Sequence, residues 1–349
     1  MNKLVIIGNG FDLAHGLNTS YKDFVLWFLN KRCLDHSNSI KDGSYFSGNK
    51  KKDKLLDITG NGTFGDGFKG FKSVSDFYDR TTGSYYIKRE FHDSFFEQIV
   101  KLSENNWVDI EREYYKQLNL KLAKNYEVVR LNESLDAIKI ELAEYLSQVK
   151  PADYSEEIGH HFCSLKSDSK IEEIYVLNFN YTSTAEIYIS AKQAEKKLLN
   201  CIHGKLKDIE NPIIFGYGDE TDDNYEKIEK LNDNEFLKHM KSFAYLQTPN
   251  YKNLFEFLDR EDEKFEVHIM GHSCGLSDRL LFTHILEHPN LHSVKIYYYE
   301  KEDGTNDFFE KTQELSRYFR KDEKHKMRKV IVPFNESVPL VKYKPKPQN

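Results

Sequence analysis

Cysteine, tryptophan and methionine are scarce in this chain, with four, two and four copies in 349 residues. Cys33, Cys163, Cys201 and Cys274 stand far apart and form no Cys-x-x-Cys pair. That spacing argues against a structural zinc site or a disulfide framework and predicts isolated thiols in a reducing compartment. No run of about 18 apolar residues occurs, so no segment is expected to span a membrane. A strong charge of one sign is also missing. Fifty Lys and Arg against 56 Asp and Glu leave a net −6, which supplies no electrostatic reason to expect nucleic acid as a partner. The first residues read as a short strand entering a glycine loop rather than as a signal peptide, and the expected location is the cytoplasm.

Aromatics are plentiful, with 24 Phe and 22 Tyr, so a large core can be built on them. Leu4-Val5-Ile6-Ile7 is a short apolar run rich in β-branched residues and stopped by glycine, as in a buried strand. Ser20 and Asp23 have the spacing of a helix start, followed by the apolar face Phe24, Val25, Phe28 and Leu29. Residues 36–84 are rich in Gly, Ser, Lys, Asp and Asn and are expected to be a long, mobile connection. From about 85 to 150 the period is helical, most clearly at Leu135, Ile138, Leu142, Tyr145, Leu146 and Val149. After Pro151 strands are expected at 173–177, 199–202, 213–215, 267–270, 294–299 and 330–332, with helices after Thr182, Glu235 and Ser277. This alternation predicts an α/β protein with a parallel sheet of Rossmann type and a large helical insertion. The expected α/β domain is discontinuous, 1–30 and 170–335, and the insertion covers 31–169.

Several strand-end loops carry groups suited to binding or proton transfer. In Gly8-Asn9-Gly10-Phe11-Asp12 the closely spaced glycines would let backbone N–H groups approach a phosphate at a helix start. The alternative reading of the same residues is a tight turn with Asp12 as a helix cap. Asn178-Phe179-Asn180-Tyr181-Thr182 follows an expected strand, at the edge where open α/β sheets bind ligands; turn-holding by the asparagines and capping by Thr182 is the alternative. His203-Gly204 ends another strand, and a histidine there is a candidate acid or base near neutral pH. Phe215-Gly216-Tyr217-Gly218 suggests a close backbone approach or a plain turn. Gly271-His272-Ser273-Cys274-Gly275 ends a further strand, with Ser277 as the cap of the next helix. Its G-x-S-x-G spacing keeps a serine hydrolase built on Ser273, with His292 downstream, as a minor alternative. Asp109 and Glu111, two residues apart, do not share a helix face.

The stretch from Gly8 to Leu17, with Thr19-Ser20-Tyr21-Lys22-Asp23-Phe24 after it, resembles the opening signature of the AbiH family of bacteriophage abortive-infection proteins. Trp107-Val108-Asp109-Ile110-Glu111, Asn178 to Thr182, Ile202-His203-Gly204, Phe215 to Gly218 and Gly271-His272-Ser273 resemble the same family. More distantly, the order of motifs is similar to the sirtuin fold, including the sirtuin-like NAD hydrolases of phage defence. That resemblance implies NAD as ligand or substrate with no tightly bound cofactor, and His203 and Asn180 as catalytic groups. It places Gly8, Asn9, Gly10, Phe11, Asp12, Asn178, Thr182, Gly271, His272 and Ser273 around the nucleotide. Asp12 and Thr182 depart from the sirtuin pattern, which has a serine at the first position and an aspartate at the second. The deacylase zinc cysteines are absent. The expected function is an antiphage effector that hydrolyses NAD at its N-glycosidic bond. The alternative is a nucleotide sensor that controls a partner without turnover. A phage trigger, a defence partner and a homo-oligomer are all compatible with the sequence.

Overall fold

The computed structural model describes residues 1–41, 53–60, 70–84, 87–105, 109–122, 126–163, 171–189, 196–218, 220, 222–260 and 263–342. Its strands are β1 (Asn2–Ile7), β2 (Leu56–Gly60), β3 (Ile87–Phe91), β4 (Glu173–Asn178), β5 (Lys196–Cys201), β6 (Phe265–Met270) and β7 (Leu291–Tyr297). The chain divides into two compact units. One comprises Met1–Asn18, Val149–Glu226 and Met240–Asn349; the other comprises Thr19–Gln148 and Lys227–His239.

The first unit is an α/β structure around a parallel sheet of order β5-β4-β1-β6-β7. β1 lies at its centre, with Leu4 opposite Tyr175 on one side and Val267 on the other. Both faces of the strand are covered, which explains its unbroken apolar run. Leu4 and Ile6 join a core that includes Leu254 and Phe257 of helix Asn250–Leu258 and Leu281, Phe282 and Ile285 of helix Arg279–Glu287. Val5 and Ile7 face the opposite way, into a core with Ile158, Phe162 and Tyr188. Each such fully buried aliphatic side chain stabilises the fold by roughly 1.5–3 kcal/mol. In chain order, the strands run outward from β1 through β4 to β5, then return to the other side of β1 at β6. The reversal between β1 and β6 is a topological switch point, and the carboxyl edge beside it is where such sheets bind ligands.

Two expected strands are not strands. Residues 213–215 form an extended connection, held by the Ile214 N–H donating to the His203 carbonyl at 2.8 Å. At 330–332 helix Lys324–Val330 occupies the start of the apolar run, and Ile331 makes a single bridge to Val294. Short apolar runs do not by themselves distinguish these states.

The second unit is mainly helical. Helix Tyr21–Lys41 begins as expected: the Ser20 hydroxyl accepts from the Asp23 N–H at 3.1 Å, and Asp23 accepts from the Ser20 N–H at 3.2 Å. This is a reciprocal cap. Phe24 and Trp27 meet Tyr145 of helix Tyr126–Leu146, and Phe28 meets Phe96 of helix Ser94–Asn105. Within 36–84, the described residues include the end of the first helix, β2 and helix Val74–Thr81, with β2 paired antiparallel to β3. Residues 42–52 and 61–69 of that expected mobile connection lie outside the described residues, as do Trp107 and Val108. Asp109 caps helix Ile110–Leu120 through the Arg112 N–H at 2.9 Å.

Candidate functional site

At the carboxyl edge of the first unit's sheet, the turns after β1 and β6 pack directly on each other. The Gly10 N–H donates to the Gly271 carbonyl at 2.8 Å, the Gly8 N–H to Met270 at 3.3 Å, and the Phe11 N–H to Gly8 at 2.8 Å. A Cβ on Gly8 would stand 2.6 Å from the His272 Cα, and one on Gly10 would stand 2.7 Å from the Gly271 oxygen. Gly271 has φ +74°, and a Cβ there would lie 2.0 Å from the Phe11 nitrogen. These glycines therefore answer a demand that the sequence does not display: backbone packing between two turns more than 260 positions apart. The N–H groups of Gly8, Gly10 and Phe11, expected to face a phosphate, end on protein carbonyls.

The turn after β4 docks on the same place. Asn178 accepts the Asn180 N–H and donates to the Asn180 carbonyl, both at 3.1 Å, which holds the turn. The Asn180 amide then donates to the Gly8 carbonyl at 3.0 Å. The Thr182 hydroxyl donates to Asp12 Oδ2 at 2.6 Å. The two positions that depart from the sirtuin pattern are thus bonded to each other. Asp12 is buried, and its Oδ1 has no hydrogen-bond partner of good geometry among the described residues. Burial raises its pKa, and Thr182, Thr184 and Asn180 partly offset that rise.

The turn after β5 supplies His203, and here the surroundings are ionic. His203 Nε2 lies 3.1 Å from Asp278 Oδ1 and 3.1 Å from the Tyr245 hydroxyl. Lys241 Nζ is 2.8 Å from the same Asp278 oxygen, and His272 Nε2 is 3.6 Å from the other. Lys241, His203, His272 and Asp278 are 1, 5, 3 and 7 % exposed, so this is a buried ion pair flanked by two imidazoles. Burial alone would raise the Asp278 pKa, but Lys241 and His203 hold it below the usual carboxylate range. Burial, reinforced by Lys241, lowers that of His203; burial brings that of His272 down to about 4. The Phe179 ring lies edge-on to both histidines, at 4.9 and 4.4 Å between centroids.

Two further glycines shape this cluster. Gly204 has φ +86°, and a Cβ there would meet the Pro212 carbonyl oxygen at 2.1 Å. The Gly218 N–H donates to the Ser277 carbonyl at 3.1 Å, and a Cβ on Gly218 would stand 3.2 Å from Lys241 Cβ. The expected site residues Gly8, Gly10, Phe11, Asp12, Asn178, Asn180, Thr182, His203, Gly271 and His272 thus form one connected set. Asn9 opens the short helix Asn9–Ala14 beside them. Ser273 is different: it is exposed, with no hydrogen-bond partner among the described residues, and His292 is exposed on β7. His272 beside it uses Nδ1 to accept the Cys274 N–H at 2.9 Å. No Ser–His–acid triad is assembled on Ser273 among the described residues.

The motifs that interlock here all lie within residues 4–300, the span that matches the family model described as "Bacteriophage abortive infection AbiH". The chain belongs to the AbiH family. No curated protein and no solved structure matches it. In this AbiH-family chain the sequence motifs mark the turns, but Lys241, Asp278 and Tyr245 are recognised only from the structure. Asp278 lies next to the expected cap Ser277, which was the one local hint. Among the described residues no helix is long and apolar enough to cross a membrane, and no group of three or more His, Cys, Asp or Glu is arranged to hold a metal ion.

Proposed function

We propose that this AbiH-family protein is an antiphage effector that binds an NAD-like nucleotide at the carboxyl edge of its parallel sheet and hydrolyses the N-glycosidic bond. The observation that carries this reading is the convergence of separate turns around His203, with Asn180 fixed to the Gly8 carbonyl at 3.0 Å and Asp278 bonded to the imidazole. In the proposed step, the bond from the sugar's anomeric carbon to the nicotinamide nitrogen breaks, and its electron pair leaves with nicotinamide. Water attacks the resulting cationic sugar and gives its proton to His203. Such chemistry depends mostly on positioning and electrostatics, which buried, hydrogen-bonded side chains supply.

A sensor without turnover is the second reading, and the Thr182–Asp12 bond, at the two positions that depart from the sirtuin pattern, favours it. The glycine-loop N–H groups are already bonded within the protein, and Asp12, Asn180 and His203 are each less than a tenth exposed. Either function requires the turns to part before a nucleotide reaches these groups. The deciding experiment measures NAD during phage infection and in reactions with the purified protein. NAD loss that disappears in His203→Ala supports the enzyme. Protection against phage with NAD unchanged supports the sensor.

A further inference from the structure

The cluster around Asp278 carries more than the hydrogen bond to His203. Its members come from three separated segments: His203 from the turn after β5, Lys241 from the start of helix Lys241–Ala244, and Asp278 from the entry to helix Arg279–Glu287. Asp278 Oδ1 faces both the Lys241 ammonium and His203 Nε2, at 2.8 and 3.1 Å. An ionised carboxylate accepts hydrogen bonds and cannot donate them. An unprotonated Nε2 at 3.1 Å from that oxygen would set two lone pairs against each other. The neighbouring His272 is already constrained in the same sense: its Nδ1 accepts the Cys274 N–H at 2.9 Å, so its proton sits on Nε2, toward Asp278 Oδ2. The charges of Lys241 and Asp278 balance, and a further buried positive charge on either imidazole would have no counter-ion.

We infer that Asp278 is a positioning residue for His203: it holds the imidazole proton on Nε2, leaving Nδ1 as the basic atom, while Lys241 keeps the carboxylate ionised. The consequence for turnover rests on the nucleotide-hydrolase reading above; the tautomer does not. Tyr245 makes the inference testable, because its hydroxyl lies 3.1 Å from the same Nε2 and could donate to it if the carboxylate were removed. Without Asp278, the opposite tautomer, with the proton on Nδ1, becomes accessible.

The experiment reads the nitrogen chemical shifts of His203 in the full-length protein labelled with ¹⁵N-histidine, with the resonance assigned from His203→Gln. At neutral pH the unmodified protein is expected to show a protonated Nε2 and an unprotonated Nδ1. Two charge-balanced variants test the acceptor. Asp278→Glu keeps an acceptor-only carboxylate for Nε2, so the tautomer persists and turnover of NAD stays within about tenfold. Lys241→Met with Asp278→Leu removes the acceptor, so both tautomers appear and kcat falls about 100-fold or more with KM little changed. A protonated Nδ1 in the unmodified protein would overturn the inference. So would a leucine variant that keeps the single Nε2–H tautomer. The expected tautomers without NAD turnover in the unmodified protein would uphold Asp278 as a positioning residue and reject only the hydrolase reading.

Discussion

Mild acid should destabilise the first unit through histidines that are folded in their neutral form. His268 on β6 and His272 in the following turn are both buried, and burial lowers their pKa values to about 3 and about 4 from the ordinary 6.5. His268 also lies near Lys3, which reinforces its shift, while Glu266 opposes it. The sign follows from proton linkage. As pH falls below 6.5 the unfolded chain takes up these protons and the folded chain does not, so stability declines until the folded values are reached. At pH 5 the unfolded chain is favoured by about 1.5 pH units per histidine, or about 2 kcal/mol each and about 4 kcal/mol for the pair. That is a large part of the roughly 5–15 kcal/mol of a typical domain. Asp12 works in the opposite direction. Its raised pKa means that the folded state takes up that proton first, which favours the fold as pH falls toward 3.8. Urea denaturation at pH 7 and pH 5 measures the net loss. Asp12→Asn removes the opposing contribution and should lose more stability than the unmodified protein as the pH is lowered further, toward 3.8. A loss below about 1 kcal/mol between pH 7 and pH 5 in both proteins, or ring resonances of His268 and His272 that titrate near 6.5 in the folded state, would refute the reasoning.

Gly271→Ala should lose more than about 4 kcal/mol or fail to yield soluble protein, because its Cβ would sit 2.0 Å from the Phe11 nitrogen. Gly16→Ala has similar positive φ but open space around it, so denaturant titration should show only about 1–2 kcal/mol of backbone strain. Lys241→Met strands the Asp278 carboxylate in the interior and should cost about 3–5 kcal/mol, with part recovered when Asp278→Asn is added; equal stability of the single and double variants would contradict the buried ion pair. His203→Ala removes neither Lys241 nor Asp278, so it should remain folded by circular dichroism while NAD loss falls about 100- to 10,000-fold.

Sequence by itself determined the central strand and the positions of the site turns. Leu4 to Ile7 are buried on both faces, which leaves a continuous apolar run, and the turns are punctuated by Gly and Asn, whose local preferences are strong. The cap at Ser20 was also legible, because it is made within one helical turn. Tertiary structure decided the rest. The roles of Gly8, Gly10 and Gly271 arise from the packing of one turn on another, a relation between distant positions that leaves no periodic trace. The Thr182–Asp12 bond joins two positions that each looked like an isolated departure from a pattern. Lys241 and Asp278 read locally as ordinary charged residues of a helix start; only folding removes both from water and forces each to answer the other's charge beside His203.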